Sequence, residues 1–242
     1  MKRRSSVSAA IAVVASLVLA GSALAAFAGA TNGSFEQGTY VDGGAGLQTL
    51  SAPSAVMTGW TISAGSVDWI GTFWTAADGS KSLDMNGAGP GAISQILATK
   101  AGTTYVVAFS LSANPAGGST VRALTVGATG SASQSFTFDR AAHVNTASDM
   151  MWQSKQYSFV ATGASTTLTF TSGEATGPFG PALDKVVVTE TASAGSAGGP
   201  GAACKSGGWK TMVDKAGNHF RNQGDCVSHF ATKGKNPGAV KP

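Results

Sequence analysis

Charged residues make up only 12% of the 242-residue chain, and it holds two cysteines and three histidines. Each scarcity excludes something. Cys204, Cys226, His219 and His229 offer too few ligands at suitable spacing for a zinc site. His143 is the only histidine between residues 31 and 191, and no Gly-x-Ser-x-Gly nucleophile motif accompanies it. No long stretch shows helical periodicity, which argues against a helical bundle. After the first 25 residues no long apolar run recurs, so no transmembrane segment is expected in the mature protein.

What is present begins with Met1-Lys2-Arg3-Arg4, followed by an almost wholly apolar or small stretch from Val7 to Leu24. Ala23-Leu24-Ala25 supplies the small-x-small pattern of a signal-peptide cleavage site, so residues 1–25 read as a signal peptide. The expected location is secreted, extracellular or associated with the cell surface. The basic excess is confined to the ends: residues 31–191 carry six basic groups against ten acidic, and residues 192–242 carry seven against two. An exported chain with a mildly acidic main domain is a poor candidate for nucleic acid, whereas the basic tail suits anionic wall polymers or plain solvent.

The 33 glycines punctuate short alternating segments. Tyr105, Val107, Phe109 and Leu111 fall on one face of a strand, as do Leu168 and Phe170. Asp78-Gly79-Ser80, Asn86-Gly87 and Asn114-Pro115 are turn chemistries between such segments. About eleven strands are expected, among them 33–36, 58–63, 67–71, 81–85, 92–98, 104–113 and 182–190. This pattern predicts an all-β domain over 31–191, with two antiparallel sheets face to face in a jelly-roll sandwich. Residues 192–203 are Gly, Ala, Ser and Pro alone and read as a flexible linker. Residues 204–242 form a small basic module and tail, where an exported Cys204 and Cys226 are expected to pair; such a loop closure contributes roughly 3 kcal/mol.

The order of short motifs is more specific than any one of them. Asn32-Gly33-Ser34-Phe35-Glu36, Gly59-Trp60, Val67-Asp68-Trp69, Asp78-Gly79-Ser80-Lys81-Ser82-Leu83-Asp84 and Gly180-Pro181-Ala182-Leu183-Asp184 follow in sequence. This resembles the choice-of-anchor C family of secreted bacterial domains and, more distantly, galactose-binding-like domains and jelly-roll carbohydrate-binding modules. The C-terminal cysteine-pair segment looks like a short module found on many secreted bacterial proteins. The resemblance implies a galactose-binding-like fold, a polysaccharide or cell-wall glycan as partner, and structural Ca²⁺ at Glu36 and Asp184. The alternative for those two carboxylates is that each caps a turn or pairs with a lysine.

Trp69, Phe73 and Trp74 are the candidate sugar-stacking residues, with Asp68, Asp78 and Asn86 nearby to exchange hydrogen bonds with hydroxyls. Trp69 and Phe73 share a face if their strand continues and Trp74 points the other way, so at least one of the three belongs to the core. Trp60 and Trp152 are read as core residues. A pair of catalytic carboxylates could be drawn from Glu36, Asp68, Asp84 or Glu174 only by assuming a geometry, so the expectation is a protein that binds and does not catalyse. The alternative function is a structural or adhesive surface protein with no specific sugar ligand.

Overall fold

Alternation of buried and less buried side chains along the longer strands produces a two-sheet antiparallel sandwich, seen in a computed structural model that describes residues 29–191, 201, 204, 207–214, 217–232 and 234–235. The expected signal peptide, all of the linker but Gly201, and the end of the basic tail lie outside the described residues. The strands are β1 (Leu47–Ser51), β2 (Thr61–Ala64), β3 (Ser66–Ile70), β4 (Ser82–Asp84), β5 (Ala92–Ala98) and β6 (Thr104–Ala113). They continue with β7 (Val121–Ala128), β8 (Gln134–Asp139), β9 (Gln153–Val160), β10 (Ser165–Ser172) and β11 (Pro181–Glu190). One sheet has the order β1-β3-β4-β11-β6-β9 and the other β2-β5-β10-β7-β8, with every pairing antiparallel.

The expected strand at 33–36 is instead a turn. Asn32 and Phe35 take φ of 51° and 58°, left-handed values that break an extended run. The segment still lies beside β11, with the Val186 amide donating to the Gly33 carbonyl at 2.8 Å. The first true strand is β1, at the edge of the larger sheet.

Aromatic residues fill the space between the sheets. Phe109 on β6 meets Phe170 on β10 edge to face at 5.5 Å, and Trp60 meets Phe170 at 6.0 Å. Leu83, Leu111, Leu124, Val126 and Leu183 complete the layer from both sides. Such contacts between residues far apart in sequence make the domain one cooperative core.

The outer faces differ. That of the five-stranded sheet carries short hydroxyl side chains in register, Thr61, Ser94 and Thr169 across three strands, and stays open. That of the six-stranded sheet is roofed by residues 71–81 and 143–152, joined where the Thr75 amide donates to the Ala147 carbonyl at 2.9 Å. Beneath this roof Trp74, Met150, Ile70 and Ala182 form a second apolar cluster.

The C-terminal module stands on its own small core. Cys204 and Cys226 are joined by the expected disulfide and packed with Phe220, Trp209 and Phe230. Helix α1 (Gln223–Ala231) starts at Asn222, whose side chain accepts the Asp225 amide at 2.9 Å and so satisfies one free helical N–H.

Candidate functional site

The residues singled out in the sequence divide between the roof and one end of the sandwich. Trp69 is fully buried, its indole N–H donating to the Phe35 carbonyl at 2.9 Å. Trp74 is buried too and donates to Ser82 Oγ at 2.8 Å. Neither ring offers a face to a ligand, which corrects the expectation of a stacking platform there. The cause is that β3 ends at Ile70, so the alternation assumed for Trp69 and Phe73 stops and the chain turns Trp74 under the roof. Phe73 alone keeps an exposed edge, at 36%. Trp152, read as core, is only half-buried and donates to the Thr75 carbonyl.

The acidic candidates at the roof bind amides and hydroxyls of the protein, Asp184 from a buried position and Glu36 and Asp78 from the surface. Asp184 sits where a bulge between Asp184 and Val187 interrupts the pairing of β11 with β6. Its Oδ2 accepts the amides of Ala77 and Asp78 at 2.7 and 2.9 Å, and its Oδ1 accepts the Lys185 amide. Glu36 Oε1 accepts the amides of Ser80 and Lys81, both at 2.7 Å, while Oε2 accepts the Ser80 hydroxyl. Gly79 lies against this carboxylate with φ of 67°, and any Cβ there would strike Glu36 Oε1. Asp78 accepts the Ser34 hydroxyl. These carboxylates therefore clasp one loop.

That clasp bears on calcium, which takes six to eight oxygens. Here each of the two carboxylates accepts three hydrogen bonds from the protein itself. Among the described residues no group of three or more His, Cys, Asp and Glu is arranged to hold a metal. The hydrogen bonds present match the alternative expected for these carboxylates, a capped loop. Asn32-Gly33-Ser34, which has the spacing of a glycosylation acceptor, is similarly occupied: Asn32 Nδ2 donates to the carbonyls of Gln37 and Thr58, both at 2.9 Å.

Under the roof, Asp68 on β3 stands directly opposite Asp84 on β4. Asp68 accepts the Thr49 hydroxyl at 2.6 Å. Asp84 accepts Asn114 Nδ2 at 2.7 Å and the amides of Asn86 and Gly180, each at 2.9 Å. Burial pushes the Asp84 carboxyl up to about 7 against the pull of those donors, and the Asp68 charge adds to the rise. Burial likewise raises Asp184 to about 7, opposed by its three amide donors. Asp68 rises by burial in spite of its Thr49 bond. No described basic side chain is hydrogen-bonded or ion-paired to any of these three.

An open cleft of about 400 Å³ lies elsewhere, between the loop joining β6 to β7 and the loop joining β10 to β11. Its walls include Gly118, Ser119, Glu174, Thr176 and Phe179, with Arg122 at the base. Arg122 points inward from β7 in line with Leu124 and Val126, and its side chain is 1% exposed. Such a cation needs partners to be tolerated. Arg122 Nη1 donates to Glu174 Oε2 at 3.1 Å and to Ser119 Oγ at 2.8 Å, and Nη2 donates to the Gly117 carbonyl. Arg122 Nε is buried without a partner. Gly118, at φ of 79°, passes so close over the guanidinium that only glycine fits.

The cleft walls are braced from behind. Arg140 donates to the carbonyls of Pro115 and Gly117 at 2.6 and 3.1 Å. Asn86, one of the predicted ligand residues, is fully buried and acts here by positioning: its Nδ2 donates to the Gly177 carbonyl at 2.7 Å, and its Oδ1 accepts the Ser172 hydroxyl at 2.6 Å. A hollow of about 510 Å³ around Trp60, Gln95, Ile96 and Thr167 has no charged lining residue, and Gln95 is already bound to Thr31 and Gly59. The cleft at Arg122 is the better candidate because it alone of the two presents a charged acceptor, Glu174, beside an aromatic ring, Phe179.

Residues 30–189 match the family described as a protein of unknown function, DUF642, and the chain belongs to that family. Halomucin of Haloquadratum walsbyi is 30% identical over 169 residues, which is 66% of this chain but only 2% of halomucin's length. Among solved structures, a family 35 carbohydrate-binding module from Paenibacillus barcinonensis is 24% identical, covering 60% of this chain and 99% of that one at a TM-score of 0.37. One from Cellvibrio japonicus is 16% identical, covering 59% and 92% at the same TM-score. Likenesses this loose say nothing of a ligand.

Proposed function

We propose that this DUF642 chain is a secreted, non-catalytic protein that binds carbohydrate of a cell wall or extracellular matrix through the cleft at Arg122. One observation carries the reading: Glu174 and the Phe179 ring line a hollow of about 400 Å³ whose walls are fixed by part-buried hydrogen bonds. Sugar rings present hydroxyl donors at the rim and apolar C–H faces, which a fixed carboxylate and an aromatic side chain match.

A binding role suits the cleft better than hydrolysis. Glycoside hydrolysis ordinarily employs two carboxylates flanking the bond. Glu174 is the one carboxylate among the cleft-lining residues, and it already accepts from Arg122, Ser119 and the Ala123 amide. Asp84, with its raised carboxyl, is fully buried beneath Asn114 and Gly180 and out of reach of a polymer.

Export completes the proposal, with residues 1–25 as the signal peptide. N-terminal sequencing of protein recovered from culture medium is expected to begin at Ala26; recovery only inside the cell removes the extracellular part. The binding part is tested by pull-down of the secreted chain on insoluble polysaccharides and wall fractions. Retention that Phe179→Ala weakens supports it, and absence of retention on every fraction sinks it.

The second reading, a structural or adhesive surface protein, is favoured by the halomucin similarity, in which a comparable stretch is a small part of a far longer chain. A partner protein captured in the same pull-down, in place of any glycan, selects it.

A further inference from the structure

The two charges of the cleft are not equally reachable. Side-chain exposure is 1% for Arg122 and 11% for Glu174, so an incoming ligand meets the carboxylate and not the guanidinium. The Arg122–Glu174 pair is neutral as a whole and its cation is covered, so the cleft offers an anionic sugar no reachable counter-charge for the water it would lose. A neutral sugar needs no counter-charge and can donate a hydroxyl to Glu174 Oε1, which accepts only the Ala123 amide and keeps a lone-pair site, forming the stronger class of hydrogen bond.

The cleft is also closed on one side. A side chain at Gly117 would strike the Phe179 ring, because the two loops touch there. Arg122 and Arg140 both donate to the Gly117 carbonyl, fixing that closure from below and behind. A polymer chain running through would have to pass this contact, whereas a chain terminus need only enter from the open side.

We infer that the cleft between the β6–β7 and β10–β11 loops recognises the terminal residue of an uncharged glycan, with Glu174 accepting hydrogen bonds from its hydroxyls. This rests on the carbohydrate reading above. The base of the cleft supports the terminal residue, Phe179 stands against an apolar face, and the rest of the glycan leaves past Thr176 into solvent.

The test uses the full secreted chain and tetrasaccharides of β-1,4-linked glucose, xylose and galactose, immobilised through their reducing ends. Each is prepared with a free or an O4-methylated non-reducing terminus, and tetragalacturonate serves as the acidic counterpart. Binding of at least one neutral tetrasaccharide is expected, weakened about tenfold or more by the terminal methyl group, with tetragalacturonate the weakest ligand. Glu174→Gln is expected to weaken the neutral ligand to a similar degree. Because that variant leaves Arg122 without its anion, Thr176→Tyr, which crowds the open side without touching the buried pair, is measured alongside it.

Equal binding of free and capped tetrasaccharides overturns terminal recognition. Preference for tetragalacturonate overturns selection of uncharged ligands. Undiminished binding by a folded Thr176→Tyr variant places the ligand elsewhere on the molecule. The first two leave the carbohydrate reading standing and the third leaves it standing without this cleft, whereas no binding to any oligosaccharide or insoluble polysaccharide overturns both.

Discussion

Two regions of this sandwich use the same residue types for opposite ends. At the roof over the six-stranded sheet, Glu36, Asp78 and Asp184 are turned to hydroxyls and backbone amides of the protein, and two tryptophans are sealed beneath. At the cleft, Glu174 is held by Arg122, Ser119 and the Ala123 amide, and its side chain, 11% exposed, borders a hollow. Acidic and aromatic residues close together in sequence thus mark a loop clasped to the sheet, while a pairing across 52 residues marks the wall of a hollow. Chemistry-bearing residues signal a candidate site when they line a concave space, and not when they only clasp a loop.

The sharpest way to break this contrast is Trp69→Ala. As a core residue it is expected to lower unfolding free energy by about 3–5 kcal/mol in denaturant titration. A loss of glycan binding without that loss of stability would return Trp69 to the role of a platform.

Titration tests the same region next. The carboxyls of Asp84 and Asp184 titrate near 3.8 in an ordinary setting and about 7 in the folded protein. The native state therefore holds more protons than the unfolded chain between those values, so stability falls as pH rises from about 4 to about 7 and levels off above. The thermal midpoint is expected to be higher at pH 5 than at pH 8, and Asp84→Asn is expected to flatten that slope. A midpoint that rises with pH over this range would contradict the buried, unpaired placement of these groups.

Glu36→Ala comes third. It removes the acceptor for the Ser80 and Lys81 amides and is expected to destabilise by about 1–3 kcal/mol. The effect should be the same with added calcium and with chelator. A wild-type midpoint that rises with calcium, and does so no longer in Glu36→Ala, would restore the metal reading of Glu36 and Asp184. Smallest of all is Phe73→Ala, a half-exposed ring whose loss is expected to alter stability by roughly 1 kcal/mol or less and to leave glycan binding unchanged.

Most of the architecture was legible because strand alternation and turn residues agree. Tyr105, Val107, Phe109 and Leu111 all face the core as their spacing requires. The segment around Phe35 misled because a buried aromatic also suits a turn, and β1 went unread because only Leu50 of its five residues is fully buried. The disulfide was readable from the cysteine count and the expectation of export. The cleft was not, apart from one sign: Arg122 occupies an inward position of an otherwise apolar alternation, which demands an anionic partner that sequence order does not identify.

The double brace on the Gly117 carbonyl, from Arg122 and Arg140, has a kinetic consequence. Walls already held in place need no rearrangement as a ligand arrives, so association rates should differ little from one glycan to another. Discrimination would then reside in how long each stays, and closely related sugars should separate by dissociation rate.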